Sequence, residues 1–561
     1  MRNLTSSIAA LVLAAAALSQ PDAARGQRRP ADLIVTNARI YTAEDTRPIA
    51  EAMAITDGRV VFVGSARGAM VFAGTSTQML DLEGNTVIPG IVDAHAHLAS
   101  LGASLRNVDL VDTKSYDEVI ERVVARAKET PKGTWILGRG WDQNDWPVTR
   151  FPTHDALSRA VPDHPVWLTR IDGHAALGNA AAMQAARVDR ASRDPDGGRI
   201  ERSPDGAPSG VFVDRAMAFV SRAIPSPSKS ELRERVAAAI KEANRWGLVG
   251  IHDAGVGREV IEVYEQLASE GRYDLRNYVM IASDDSTLAH YFRRGPQNAL
   301  HDGRLWIRSI KISADGALGS RGAALLLPYS DEPSHSGLIL TPPERVQEVA
   351  ARALRNGFQL NVHAIGDRAN RVVLDAFEAA LAEVPAADHR FRVEHAQILN
   401  AEEIPRFAQL DVIPSMQASH QTSDMPWAGR RLGAPRLGGA YAWRSLLETG
   451  VVIPNGSDFP VELVNPLISF HASVSRQDAK NSPPGGWYPA QRMTRDEALK
   501  SMTLWPAYAA FQETEMGSLA AGKRADFVVL DQDIMKVPAT AILETRVLAT
   551  YLGGKAVYEA K

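Results

Sequence analysis

The stretch VIPGIVDAHAHL, Val87 to Leu98, ends an apolar run with two imidazoles on alternate residues. Residues i and i+2 of a strand leave the backbone on the same face, so the Cβ atoms of His95 and His97 stand about 6 to 7 Å apart and both rings can reach one cation. Further along, His363 closes FQLNVHAIG, His395 closes HRFRVEHAQ, and a carboxylate, Asp458, closes VIPNGSDFP. Lys311 lies inside the run SIKISADG. A charged ammonium in an apolar strand is costly, so Lys311 must pair with a carboxylate, stay neutral or be chemically altered. The chain has no cysteine, which excludes disulfides and thiolate metal sites. Imidazole and carboxylate donors alone suit zinc, with manganese, iron or nickel also accommodated.

Such scattered residues can act together only if the fold gathers them. Eight apolar runs, VIPGIVDAHAHL, GLVGIHDAG, RNYVMIA, SIKISADG, FQLNVHAIG, HRFRVEHAQ, VIPSMQASH and VIPNGSDFP, read as strands, and helical patterns fill the gaps. In TPPERVQEVAARALRNG, Thr341 and Glu344 form an expected capping box, Pro342 takes the first helical position and Gly357 is the stop. ELRERVAAAIKEANRWG ends likewise at Gly247. Alternation in this number predicts an α/β fold, a (β/α)₈ TIM barrel, whose strands carry reactive groups at their C-terminal ends. All the candidate ligands then share one rim. An open doubly wound sheet is the alternative, and the chain lacks the Gly-rich phosphate loop that goes with it.

Two regions depart from the alternation. ADLIVTNARIYT and AMAITDGRVVFVG near the start, with Asp57-Gly58 in a hairpin turn, match RADFVVLD and VLATYLGGKAVYE near the end in texture. Residues 31–86 and 516–561 are therefore expected to form one small β-sandwich domain, with the barrel spanning 87–515. From about 101 to 224 few clean strands are legible, which reads as an insertion after strand one that supplies a lid or substrate wall. Trp141 and Trp146 there either line an apolar pocket or fill the insertion's own small core.

The chain has 561 residues, 45% of them hydrophobic and 23% charged, with a formal charge of -4. That balance gives no electrostatic reason for a nucleic-acid or anionic-membrane partner and points to a small-molecule substrate; self-association is left open. MRNLTSSIAALVLAAAALSQPDAARGQ has an early cation and an apolar core, Ile8 to Leu18, too short to span a bilayer. It reads as a signal peptide, 1–26, cleaved after Ser19 or Gly26, which sends the mature chain to a periplasmic or extracellular space. No membrane span follows.

Taken in order, the HAH pair, KISADGALGSRGA, VHAIGDRA, VEHAQ and GSDFPVELVNP resemble the amidohydrolase superfamily, and within it the YtcJ-like (amidohydrolase 3) metal-dependent hydrolases. The likeness covers nearly the whole mature chain, including RIDGHAALGN and GSLAAGKRADFVVLD. The resemblance implies a two-metal site: His95, His97 and Asp458 hold one ion, His363 and His395 the other, and Lys311 bridges both as a carbamate. A single ion without the carbamate is the rival arrangement. It also implies hydrolysis of a carbon–nitrogen bond other than a peptide bond, in a small amide, formamide or N-acyl compound, with Asp458 shuttling the proton of a metal-activated water. Ester hydrolysis or deamination at the same site, or a metal-retaining binding protein, are the alternatives. His174, Asp315, Arg321, Asp367 and Arg368 are candidate substrate contacts, each of which could instead brace a loop.

Overall fold

Apolar, β-branched segments buried on both faces form the ring that the alternation predicts. The computed structural model describes residues 29–561, so the signal peptide expected at 1–26 lies outside the described residues. Strands β1 (Ile91–Ala96), β2 (Leu248–Val256), β3 (Arg276–Ala282), β4 (Leu305–Ser313), β5 (Gln359–Ala364), β6 (Arg392–His395) and β7 (Ile413–Ser415) each pair in parallel with the next. Every position of β1, β5, β6 and β7 is buried, as expected for strands with side chains inside the barrel and helices outside.

The eighth run, VIPNGSDFP, differs from expectation because it forms no regular strand. Its backbone closes the ring by isolated bonds: Ala94 N donates to Asn455 O at 3.2 Å and Asp458 N to His95 O at 2.7 Å, while Gly456 N donates to Met416 O at 3.1 Å on the far side. The reason is local. A Cβ at Gly456 would lie 2.4 Å from the His95 nitrogen, and Asp458 adopts φ 60°, so the segment is pressed too close to β1 and turns too sharply to stay extended.

The first run is also two strands rather than one. Thr86–Pro89 pairs with Phe527–Leu530 from the C-terminal region and with Arg39–Tyr41 from the N-terminal region, in a six-stranded sheet. Gly90 separates it from β1, where a Cβ would meet Val249 at 2.4 Å. A second, four-stranded sheet comes from residues 33–81 alone. Leu33, Val35, Met53 and Ile55 of this sheet share one apolar core with Phe527, Val529 and Tyr551 of the other.

The helix Pro343–Arg355 begins after Pro342, one residue later than expected, and Thr341 does not cap it. Its hydroxyl donates to Ser313 O at 2.8 Å instead, tying the helix start to the end of β4. The helix Lys229–Arg245 does carry a capping box, Ser228 with Glu231. Residues 101–224 are more ordered than they read: strands between Val108 and Asp214 form a six-stranded sheet of mixed direction. Its strands are short and punctuated by glycine and proline, which hid them. Trp141 and Trp146 sit in its core, their indole N–H groups donating to Leu168 O at 2.7 Å and Thr113 O at 2.9 Å. Among the described residues no helix is long and apolar enough to cross a membrane.

One buried ion pair pins the terminal sheet to the barrel. Arg276 at the start of β3 donates from Nε and Nη2 to Asp526 at 2.6 and 2.8 Å, with both side chains about 4% exposed. Removing one partner strands the other charge, so Asp526→Ala should lower stability by about 3–5 kcal/mol. The measurement is the chemical denaturation midpoint; an unchanged midpoint would show that the pair does not hold the two parts together.

Candidate metal centre

The β1 rim positions its imidazoles by fixing one nitrogen of each. His95 Nδ1 donates to Glu394 Oε2 at 2.5 Å, and Glu394 is in turn held by Arg392, whose Nε lies 2.7 Å from Oε1. His97 Nδ1 donates to Ala254 O, at the end of β2, at 3.0 Å. His395 Nδ1 donates to the Gln417 side-chain oxygen at 2.7 Å. With Nδ1 as donor, Nε2 of each ring is left with its lone pair, the arrangement in which a histidine ligates a cation.

Those Nε2 atoms meet the carboxylate brought in by the ring-closing segment. Asp458 Oδ1 is 3.0 Å from His97 Nε2 and 3.7 Å from His95 Nε2. Lys311 Nζ approaches His95 Nε2 at 3.0 Å and, among the described residues, has no carboxylate oxygen within 4 Å, so no ion pair is formed by this lysine. The His363 ring is 4.5 Å from that of His395, centroid to centroid. His97, Lys311, His363, His395 and Asp458 all face one cavity of about 780 Å³, and His95 lies beneath them, fully buried.

These residues fit a divalent cation. Asp458 Oδ1 and His363 Nε2 are buried without a hydrogen-bond partner, an expense proteins seldom tolerate unless something else satisfies the atoms. The donor atoms of His95, His97 and Asp458 lie within 4.8 Å of one another, as do those of His395, His420 and Asp458. Burial drives His95 down to about 4, and holds His363 and His395 well below the usual imidazole range, which keeps them neutral as ligands must be. Burial alone would raise the Asp458 carboxyl, but the hydrogen bond from His420 and the close contacts with the His95 and His97 rings hold it well below its ordinary value.

The candidate substrate contacts divide. His174 lines the cavity, its ring 5.4 Å from that of His363 and its Nδ1 2.7 Å from Asp214 Oδ1. Burial would lower its pKa, but Asp214 outweighs that and holds it at about 9. The other four are not among the cavity-lining residues. Asp315 is fully buried and accepts from the backbone N–H groups of Ala324, Ile365 and Gly366 at 2.8, 2.9 and 2.8 Å, bracing the loops behind His363. Arg321 pairs with Asp331 and Glu332. Asp367 accepts from Leu326 N at 2.8 Å, and Arg368 reaches the carbonyls of Ser336 and Gly337 at 3.5 Å. Arg321, Asp367 and Arg368 hold loops, and Asp315 besides bracing its loop places Oδ1 3.5 Å from His363 Nε2.

Two residues next to the ligands were not anticipated. His420 follows β7 in the first turn of the helix Ala418–Leu432, with Nε2 3.4 Å from Asp458 Oδ2 and Nδ1 3.0 Å from Glu462 Oε1. It ends the seventh apolar run, so the rule that picked the other rim histidines also reaches it. Glu394 directly precedes His395, and only the closed ring shows that it turns towards His95. Glu394→Gln should keep the fold and weaken zinc binding about 10- to 100-fold. Competition against a chromophoric chelator, with circular dichroism as the fold control, measures this; wild-type affinity would remove the proposed orienting role.

A sequence model described as "Amidohydrolase family" matches residues 78–558. The chain is 32% identical over 528 residues to the putative amidohydrolase YtcJ of Bacillus subtilis, covering 93% of this chain and 98% of that protein. It is 28% identical to the N-substituted formamide deformylase of Arthrobacter pascens, covering 94% and 98%. Among solved structures, an uncharacterized metal-dependent hydrolase from Pyrococcus furiosus superposes with a TM-score of 0.72 at 29% identity, covering 90% of this chain and all of that one. The imidazoles gathered on the barrel rim and a likeness that runs through both the barrel and the terminal sheets lead to one assignment: the chain belongs to the amidohydrolase family, metal-dependent hydrolases that act on carbon–nitrogen bonds.

Proposed function

We propose that the protein hydrolyses the carbon–nitrogen bond of a small amide, formamide or N-acyl compound at a two-zinc site, after export directed by residues 1–26. The observation that carries the reading is the Asp458 carboxylate, buried with Oδ1 unpartnered beside the Nε2 atoms of His95 and His97. The likeness to a formamide deformylase along nearly all of both chains supports the substrate class.

His95, His97 and Asp458 would hold one cation, and His363 and His395 the other. A bound divalent ion supplies an activated water and polarises the scissile carbonyl. The remaining work falls to side chains. Asp458 Oδ2, the oxygen turned towards His420, accepts the proton of the attacking water and returns it to the leaving amine nitrogen. His420, steadied by Glu462, keeps that carboxylate oriented through both transfers. Burial pushes the Lys311 ammonium below its ordinary pKa; its amine form would add carbon dioxide and lose a proton, and the oxygens of the resulting carbamate would join the residues that hold the cations.

Asp458→Asn should reduce kcat about 100- to 10,000-fold on any substrate the enzyme accepts, and near-normal turnover would remove the shuttle. Wild-type protein assayed on a panel of N-acyl and formamide compounds, with metal analysis, should lose activity with a chelator and regain it with zinc. Bound metal with no turnover of any member would overturn the hydrolase reading. Labelling with isotopic bicarbonate should give a carbamate signal that Lys311→Ala abolishes; an unmodified amine in fully active enzyme excludes the bridge.

A further inference from the structure

The cavity wall contributed by the insertion sheet carries a cation that the hydrolytic machinery does not use. Arg139, in the strand Ile136–Trp141, donates from Nε to Pro460 O at 3.0 Å and from Nη2 to Ile171 O at 2.8 Å. Both acceptors are neutral carbonyls, and no carboxylate oxygen lies within 4 Å of its nitrogens among the described residues. Among the described residues Nη1 has no hydrogen-bond acceptor. The guanidinium is thus held at two points by neutral acceptors, and Asp458 and Asp172 act on its charge only from beyond ion-pair distance.

Its neighbours differ. Arg170 is saturated by Asp142, Asp172 and Gln143. Lys114 lies 3.7 Å from Asp112. The cavity carboxylates nearest the reacting end are also engaged: Glu462 by His420, and Asp424 by the Tyr441 hydroxyl and the Gln397 amide, with burial pushing it up to about 7. Nor is Arg139 shielded. Gly173, at φ 74°, borders the cavity beside it, and a Cβ there would stand 3.6 and 3.7 Å from Nη1 and Nη2. The missing side chain leaves that edge of the guanidinium open.

The anchor on Pro460, two residues past Asp458 in the chain, ties the guanidinium to the segment that carries the carboxylate, and both side chains line the same cavity. We propose that Arg139 is a specificity determinant that binds a carboxylate of the substrate, so the preferred substrates are N-acyl or N-formyl amino acids and related small amides bearing an acid group. The inference takes the site of the scissile bond from the amide-hydrolase reading above. A planar guanidinium matches a carboxylate with paired, charge-assisted hydrogen bonds, and an unpaired charge in a walled cavity gains most from meeting its counterion.

The test uses three probes of one size that the enzyme cannot cut: N-benzenesulfonylglycine, its neutral primary amide, and the cationic N-benzenesulfonyl-ethylenediamine. Binding to the zinc-loaded full-length enzyme is measured by calorimetry. The acid should bind about 10- to 100-fold more tightly than the amide, the range of one charged hydrogen-bonded contact, and the amine more weakly than either. Arg139→Gln should bring the acid-to-amide ratio close to one, and Arg139→Lys should leave an intermediate ratio. Equal binding of acid and amide by the wild type, preference for the amine, or an acid preference that survives Arg139→Gln overturns the proposal. The wild-type ratio decides even if a variant fails to fold. Sulfonamides are not hydrolysed, so a failed hydrolysis panel would remove the proposed reaction without touching this comparison.

Discussion

A single backbone hydrogen bond, Asp458 N to His95 O at 2.7 Å, sets the register on which the site depends. It joins the last segment of the ring to the first strand and delivers a carboxylate onto the paired imidazoles. The approach is possible only because Gly456 has no side chain where one would strike the β1 backbone. The price is a buried oxygen, Asp458 Oδ1, with no hydrogen-bond partner, and a polar atom left so exposed to its own field is what a cation would satisfy.

Around that contact the molecule separates two tasks. The barrel supplies the strand ends, where His95, His97 and His395 are each fixed through Nδ1 by a hydrogen bond to a neighbouring segment. The insertion sheet supplies the facing wall, with Arg139, the Arg170 network and His174 with Asp214.

Support extends below the site. Arg392 reaches Glu394, the Ala94 carbonyl at 2.6 Å and the Ser415 hydroxyl at 2.8 Å, so one buried guanidinium links β1, β6 and β7. Burial would push the Glu394 carboxyl up, but the charge of Arg392 and the contact with His95 hold it down at about 2. It stays ionised and remains a firm acceptor for His95 Nδ1. Arg392 and Glu394 are thus a buried ion pair joined to their neighbours by hydrogen bonds rather than two isolated charges.

The sequence by itself determined what strand alternation and residue chemistry can encode locally. Period-two placement of His95 and His97, histidines at the ends of apolar runs, and the strand-helix alternation are one-dimensional patterns, and they sufficed for the barrel and for the six side chains that share its rim. Tertiary structure decided whatever depends on which distant segments touch. Asp315, Arg321, Asp367 and Arg368 stand beside ligand motifs in the chain, yet each turns to brace a loop, because a charge takes the nearest partner in space. Arg139 and Glu394 carried no local signal: one needs Pro460 to lie against the insertion sheet, the other needs β6 to face β1. The capping residue Thr341 was drawn away by the Ser313 carbonyl for the same reason, since hydrogen bonds are allotted after packing brings their partners within reach.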